Sequence, residues 1–289
     1  MLASLVSRTA SIARGAYLAI FECASTFLWF SMFPVSKISD WAKARCPDSD
    51  YKLNIFQYYF LSFPGAVNAL TVIGLSWGLM LLHFPLYLSV ILASIAYPLM
   101  SGGIHLDGLS DSIDALLAYN KDKFQVLTDP HCGALGAVYA MLFTLTQVAI
   151  YSTLLYIWLT AGVPAYWAIL VPAIVARVAV FYILMSYYPE YHPKGLEHLF
   201  PEYHPFENLE FGYRVYCTLL PIVAAIAIWF APNIVLPLVV SIGCGLFVAK
   251  VVVPGLIRNL GFFFGDNLGL SILLIEIMSA FILVPYYNW

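Results

Sequence analysis

Charge is what this chain has least of: Asp, Glu, Lys and Arg make up 10% of its 289 residues, against 62% hydrophobic residues. A soluble domain carries about 25% charged side chains, so that scarcity, with a mean hydropathy of +0.85, excludes one. The net charge of −3 gives no reason to expect a nucleic-acid partner. Cysteines are few and scattered, at Cys23, Cys46, Cys132, Cys217 and Cys244, with no Cys-x-x-Cys pair, so neither a disulfide framework nor a zinc ribbon is expected. The first apolar run lacks an A-x-A-like cleavage site and is followed by more such runs, so no cleavable signal peptide is expected either. Short alternating segments are missing too, which argues against a membrane β-barrel. What is present is a series of continuous uncharged runs of about twenty residues, the mark of an all-α, polytopic integral membrane bundle embedded in a lipid bilayer. About seven or eight membrane segments are expected, forming a single domain over residues 1–289.

In chain order, residues 1–15 carry Arg8 and Arg14 and suit an interfacial helix. Residues 16–35 contain Glu22 and either cross the membrane or insert only in part. Spans are then expected from about residue 56 to 82, with Pro64 and Gly65 early in it, and over 86–100, 133–158, 166–188, 215–231, 233–253 and 268–287. The turn at His83, Phe84 and Pro85 is so short that the spans on either side of it form an antiparallel pair. Following the crossings, the loops 36–52, 101–131, 189–213 and 254–267 share one face. That face takes Lys37, Lys43, Arg45, Lys52, Lys121, Lys123, Lys194, Arg214, Lys250 and Arg258, and the excess of positive charge makes it cytoplasmic, in a multi-pass protein of the cell membrane. Pro-Glu-Tyr-His-Pro occurs at 189 and again at 201, which is read as coincidence in a Pro-rich polar loop.

Residues 101–136 concentrate what acidity the chain has: Asp107, Asp111, Asp114, Asp122 and Asp129 are five of its 16 acidic residues. On a helix, positions 107, 111 and 114 lie at i, i+4 and i+7, within about 60° on one face. Carboxylates so close repel one another, and oxygen ligands alone favour a hard cation such as Mg2+, which takes one or two carboxylates and completes its shell with water and phosphate. Gly102 and Gly103 ahead of that helix admit close backbone approach, and a helix N-terminus there offers N–H groups to a phosphate. Together these features point to a metal-bridged phosphate or diphosphate. His105 is a base, a metal ligand or a cap for the glycine turn. Asp129, ahead of His131 and Gly133, either caps the next helix or extends the carboxylate set. Arg177, costly at mid-span, either holds a phosphate or pairs with Glu22 or Glu276. Asp266, in Gly265-Asp-Asn-Leu-Gly269, is a helix cap or part of a substrate site.

Gly102-Gly-Ile-His-Leu-Asp-Gly-Leu-Ser-Asp-Ser-Ile-Asp114 resembles the G-G-x-H-x-D-G-L-x-D-x-x-D motif of the integral-membrane cobalamin synthases, the adenosylcobinamide-GDP ribazoletransferases. Residues 129–136 are similar to that family's D-S-R-x-G-x-x-G segment, Ala176-Arg177 to its small-residue-Arg pair, and residues 265–269 to its late G-D-x-x-G turn. The order and spacing agree from about Phe56 to Glu276. The resemblance implies that α-ribazole, or its 5′-phosphate, attacks the cobinamide-side phosphate of adenosylcobinamide-GDP, and that GMP leaves with Mg2+ required. It implies a catalytic and metal-binding role for Asp107, Asp111 and Asp114, with His105 beside them. Substrate contacts would come from Gly102, Gly103, Asp129, His131, Arg177, Lys194 and Asp266. Two departures stand out: Pro130-His131 replaces the family's Ser-Arg, so that His131 or Lys194 would have to take the arginine's place, and Leu273 stands where a glutamate is usual, with Glu276 further on. Oligomeric state is left open, and a homo-oligomer is compatible with the sequence.

Two other readings are weighed against this one. A CDP-alcohol phosphotransferase also uses spaced aspartates in a membrane bundle, but its D-G-x-x-A-R arrangement is not matched, because Leu109-Ser110-Asp111 follows Asp107-Gly108. A divalent-cation transporter would carry its carboxylates inside the spans, not in a loop at the membrane surface.

Overall fold

The computed structural model describes residues 44, 62–162, 165–191, 235–263 and 265–287, and all the regular structure among them is helical. In order these are α1 (Ser62–Leu81), α2 (Leu86–Met100), α3 (Ile104–Leu117), α4 (Lys123–Leu127), α5 (Ala134–Ala161), α6 (Trp167–Tyr191), α7 (Val235–Phe247), α8 (Val253–Leu260), α9 (Gly265–Phe281) and α10 (Val284–Tyr287), with a π-helical turn (Val248–Val252) joining α7 to α8. Among the described residues four stretches are long and apolar enough to cross a membrane: Phe63–Leu81, Ala134–Ala161, Val235–Leu260 and Gly265–Tyr287. A fifth is reached if α2 and α3, which meet at a 72° bend, count as one broken span. The expected segments 16–35 and 215–231, Lys194 and both copies of the Pro-Glu-Tyr-His-Pro repeat lie outside the described residues, except for the start of the first copy at the end of α6.

Where helices start and stop follows local chemistry. Pro64 sits in the first turn of α1, where a missing N–H is tolerated. α2 runs over the expected residues and ends two residues past Pro98. The chain then turns through Gly102 and Gly103, both left-handed with φ of 68° and 76°, a conformation that glycine adopts without steric cost. This turn produces the bend and sends α3 off the line of α2. α3 is amphipathic, with Asp107, Asp111 and Asp114 along it.

Two expectations near the C-terminal end are corrected. Residues 254–260 are not loop: the helix begun at Val235 continues through the π-turn into α8. Pro254 lacks the N–H an α-helix needs there, but the π-turn shifts the pairing, with the Val253 N–H donating to the Val248 carbonyl, so the helix passes the proline. Lys250, inside the expected span 233–253, sits at the π-turn with its ammonium 5.4 Å from the Tyr182 ring centroid. Likewise Gly265-Asp-Asn-Leu-Gly269 is not a turn but the start of α9; only a short connector remains after Gly261, whose left-handed backbone closes α8.

Two large apolar clusters hold most of the core among the described residues. One joins α6, the π-turn, α8 and α9 through Val175, Ala179, Val248, Ile257 and Ile272. The other joins α1, α2, α5 and α6 through Ala69, Ala93, Tyr151, Leu154 and Ala173. The outer faces stay apolar as well: Leu70, Trp77, Met141, Leu145, Val239 and Phe247 are all more than half exposed, as expected of surfaces that meet lipid tails. Against this framework α3 rests on the start of α9 over Leu109, Leu270 and Leu273. α4 is pinned to the end of α8 by Lys123, whose ammonium donates to the Asn259 carbonyl at 2.6 Å.

Candidate functional site

The crossing of α3 and α9 is unusually close because two glycines make it so. A Cβ on Gly108 would lie 2.6 Å from the Asp266 carbonyl oxygen, and one on Gly269 would lie 3.2 Å from the His105 backbone. Asn267 secures the contact by donating to the Ser112 hydroxyl at 3.1 Å, with both groups buried. The crossing thereby brings Asp266 into the field of the α3 carboxylates. Burial first, then the charges of Asp107, Asp266 and Asp114, push the Asp111 carboxyl up to about 6. Among the described residues no lysine or arginine forms a salt bridge with any of these four aspartates.

An open cavity of about 580 Å3 lies beside this cluster, lined by Gly102, Gly103, Asp107, Ser110, Cys132 and Ala137 among others. Its rim is the left-handed glycine pair and the start of α3; its opposite wall is the start of α5. Asp107 is exposed to it. Ser110, one turn on, lies 3.2 Å from the Cys132 sulfur, and the two meet on the cavity lining. Neither Ser110 nor Cys132 stood out in the sequence. The i+3 spacing of Ser110 from Asp107 is a signal that could have found it, whereas nothing local marks Cys132.

The other expected site residues are distributed differently. Asp114 accepts hydrogen bonds from the backbone N–H groups of Gly133 at 2.9 Å and Gly136 at 2.8 Å. Asp129 neither caps α5, whose N-cap is Gly133, nor joins the carboxylate cluster; it folds back to accept from the His131 N–H at 3.0 Å. Those contacts, with the His131 ring beside it, hold its carboxyl below the usual range. His131 is 88% exposed at its side chain. His105 is buried at the crossing and off the cavity lining; desolvation, then the Arg177 charge, push its imidazole down to about 3, so it stays neutral near pH 7. Arg177, for which phosphate binding and pairing with Glu22 or Glu276 are the alternatives, is 1% exposed and forms a salt bridge with Glu276. Glu276 also accepts from Tyr151 and, at 3.3 Å, from Gln147. A helix so apolar cannot leave a guanidinium without a counter-ion, and the pairing alternative is the one the fold realises. Lys194 lies outside the described residues.

The donor set suits a hard cation that keeps part of its shell for phosphate. Among the described residues no group of three or more His, Cys, Asp or Glu side chains is arranged to hold a metal ion by itself. Mg2+ needs only one or two carboxylates beside substrate phosphates; Asp107, on the cavity lining, and Asp111, one turn further along α3, are the carboxylates that could serve it.

Comparison with known proteins agrees with this geometry. Residues 22–284 match the family model described as cobalamin-5-phosphate synthase. Curated relatives named adenosylcobinamide-GDP ribazoletransferase include one from Desulfitobacterium hafniense, 32% identical over 126 residues, 43% of this chain and 48% of the relative. Another, from Pseudomonas savastanoi pv. phaseolicola, is 38% identical over 88 residues, 27% of this chain and 36% of the relative. A third, from Deinococcus radiodurans, is 38% identical over 119 residues, 39% of this chain and 40% of the relative. The chain thus spans half or less of the length of the curated relatives it matches, and no solved structure matches it. The family model, in contrast, runs through the motif helix α3, the start of α5 and the Asp266 end of α9, so this chain belongs to the cobalamin-5-phosphate synthase family.

Proposed function

We propose that the protein is an adenosylcobinamide-GDP ribazoletransferase. It joins adenosylcobinamide-GDP to α-ribazole, or to α-ribazole 5′-phosphate, giving adenosylcobalamin or its 5′-phosphate and releasing GMP. The observation that carries this reading is the convergence of the family motif on one open cavity: a glycine rim, a helix N-terminus and the exposed Asp107 carboxylate, with no lysine or arginine bridged to it among the described residues. Diphosphate cleavage by a ribose hydroxyl asks for that combination, since it needs charge neutralisation and alignment more than covalent catalysis.

Asp107 and Asp111 would hold Mg2+, with Asp266 adding negative charge behind them. When bound, the ion would offset the charge of the diphosphate oxygens and make phosphorus more open to attack. Gly102 and Gly103 let the diphosphate approach the backbone at the start of α3. Asp107, which lines the cavity, would use its second carboxylate oxygen to take the proton of the attacking hydroxyl. Exposed His131 stands at the position of the family's arginine and is available to the departing nucleotide. The excess of Lys and Arg in the motif-bearing loops supports a site on the cytoplasmic face of the cell membrane.

The test is direct. Purified full-length protein in detergent, given adenosylcobinamide-GDP, α-ribazole and Mg2+, is expected to release GMP and form a cobalamin in equal amounts, and Asp107→Asn is expected to abolish turnover without unfolding the protein. No GMP above background overturns the assignment, and lipid formed from a CDP-activated precursor would transfer it to the CDP-alcohol phosphotransferases.

A further inference from the structure

Asp114 is the third carboxylate of the motif, and the fold uses it unlike the other two. Its two oxygens are engaged separately: Oδ2 accepts from the Gly133 N–H at 2.9 Å and Oδ1 from the Gly136 N–H at 2.8 Å. Gly133 is the N-cap of α5 and has no side chain with which to cap. A helix start leaves its first N–H groups without partners, and an anion there is favoured by the helix dipole. Asp114, reaching across from α3, supplies the missing cap. The two glycines are what allow it, because a Cβ at either position would run into the Asp114 carboxylate.

The capped turn is also a wall of the cavity. Cys132 immediately precedes it, Ala137 and Ala140 follow it, and all three face the space bounded on the other side by Gly102, Gly103 and Asp107. The carboxylate therefore fixes the distance between the metal-bearing side of the cavity and its opposite side. We infer that Asp114 is a positioning residue, which caps α5 from α3 and sets the width of the cavity, while the cation is carried by Asp107 and Asp111 without it. The metal half of this inference rests on the proposed function; the capping half does not.

The experiment uses full-length protein in detergent with Mn2+ alone as the probe, followed by electron paramagnetic resonance, and amide hydrogen exchange resolved to residues 133–136. Asp114→Asn, which keeps one acceptor oxygen, is expected to speed exchange of the Gly133 and Gly136 amides about tenfold, and Asp114→Ala more. Mn2+ affinity is expected to stay at the wild-type value in Asp114→Asn but to fall about tenfold or more in Asp111→Asn. Gly136→Ala, which leaves every carboxylate in place, should reproduce the exchange phenotype, and adding Asp114→Asn to it should change little. With substrates present, Asp114→Asn is expected to raise KM for the activated corrinoid more than it lowers kcat, whereas Asp107→Asn removes kcat. Weakened Mn2+ binding in Asp114→Asn with unchanged exchange at Gly133 and Gly136 would overturn the inference and make Asp114 a ligand. If the wild-type protein binds no Mn2+, the metal reading falls, and the exchange measurement alone decides whether Asp114 is the cap.

Discussion

Asp111 sits part-way into the protein among three other carboxylates, and its proton is held accordingly. The folded-state value of about 6 lies above the ordinary 3.8, so the folded chain binds this proton more tightly than the unfolded chain does. Below about pH 4 both states are protonated and the group has no effect on stability. Between about pH 4 and 6 the unfolded state ionises first, stability falls, and above that window the loss is constant. Metal-free protein is therefore expected to melt at a lower temperature at pH 7 than at pH 4.5 by a margin that Asp111→Asn reduces. The measurement is the difference between the two proteins' melting curves across pH; parallel curves would mean that the neighbouring charges are neutralised by some other group. Asp111 was legible from the sequence because i, i+4, i+7 spacing is a property of any helix. The separate task of Asp114 was not, because its partners lie 19 and 22 residues away and nothing in the local pattern distinguishes a capping carboxylate from a metal-facing one.

At the level of elements, the start of α9 is the informative case. Gly265-Asp-Asn-Leu-Gly269 has the composition of a turn, and reading it so misplaces Asp266 in a loop. In the fold Gly269 is needed not for its backbone freedom but for its missing side chain, which lets α9 touch the α3 backbone at His105, while Gly108 returns the favour at Asp266. Sequence alone cannot separate a glycine that bends the chain from one that lets two helices meet. Gly102 and Gly103 are of the first kind and Gly108 and Gly269 of the second, although all four lie in the same two motifs. Gly108→Ala puts two opposing effects to the test. Alanine favours the helix by about 1 kcal/mol relative to glycine, but the new methyl meets backbone that cannot swing aside, and forced separation of packed elements costs about 1–3 kcal/mol. The clash is expected to win: a lower melting temperature and loss of turnover, as Asp266 is carried away from Asp107. An unchanged melting temperature with full activity would show that α3 and α9 can slide apart freely.

Across the described residues, the four long apolar helices and the 86–100 helix followed from hydropathy, whereas the interior polar network did not, because its members are single polar residues spread over four helices. Arg177 on α6 donates to Glu276 on α9, to the Ala173 carbonyl at 3.1 Å and to the Tyr97 hydroxyl of α2 at 3.3 Å; Tyr151 and Gln147 of α5 donate to the same glutamate. Gly65 of α1 closes over the guanidinium stem, where a Cβ would come within 2.8 Å of the Arg177 Cδ. Five helices thus meet at one ion pair, near enough to the α3–α9 crossing for the Arg177 charge to act on His105. Removing one partner of a buried pair leaves the other charged without compensation and costs about 3–5 kcal/mol, whereas removing both charges together costs much less. Glu276→Gln is therefore expected to destabilise the protein severely, while Arg177→Gln combined with Glu276→Gln, which retains amides for Tyr151 and Gln147 to bond, should recover most of the loss. Melting curves in detergent for the two single variants and the double variant provide the measurement. A double variant as unstable as Glu276→Gln would mean that the directional hydrogen bonds of the network, not the balance of charge, hold the helices together.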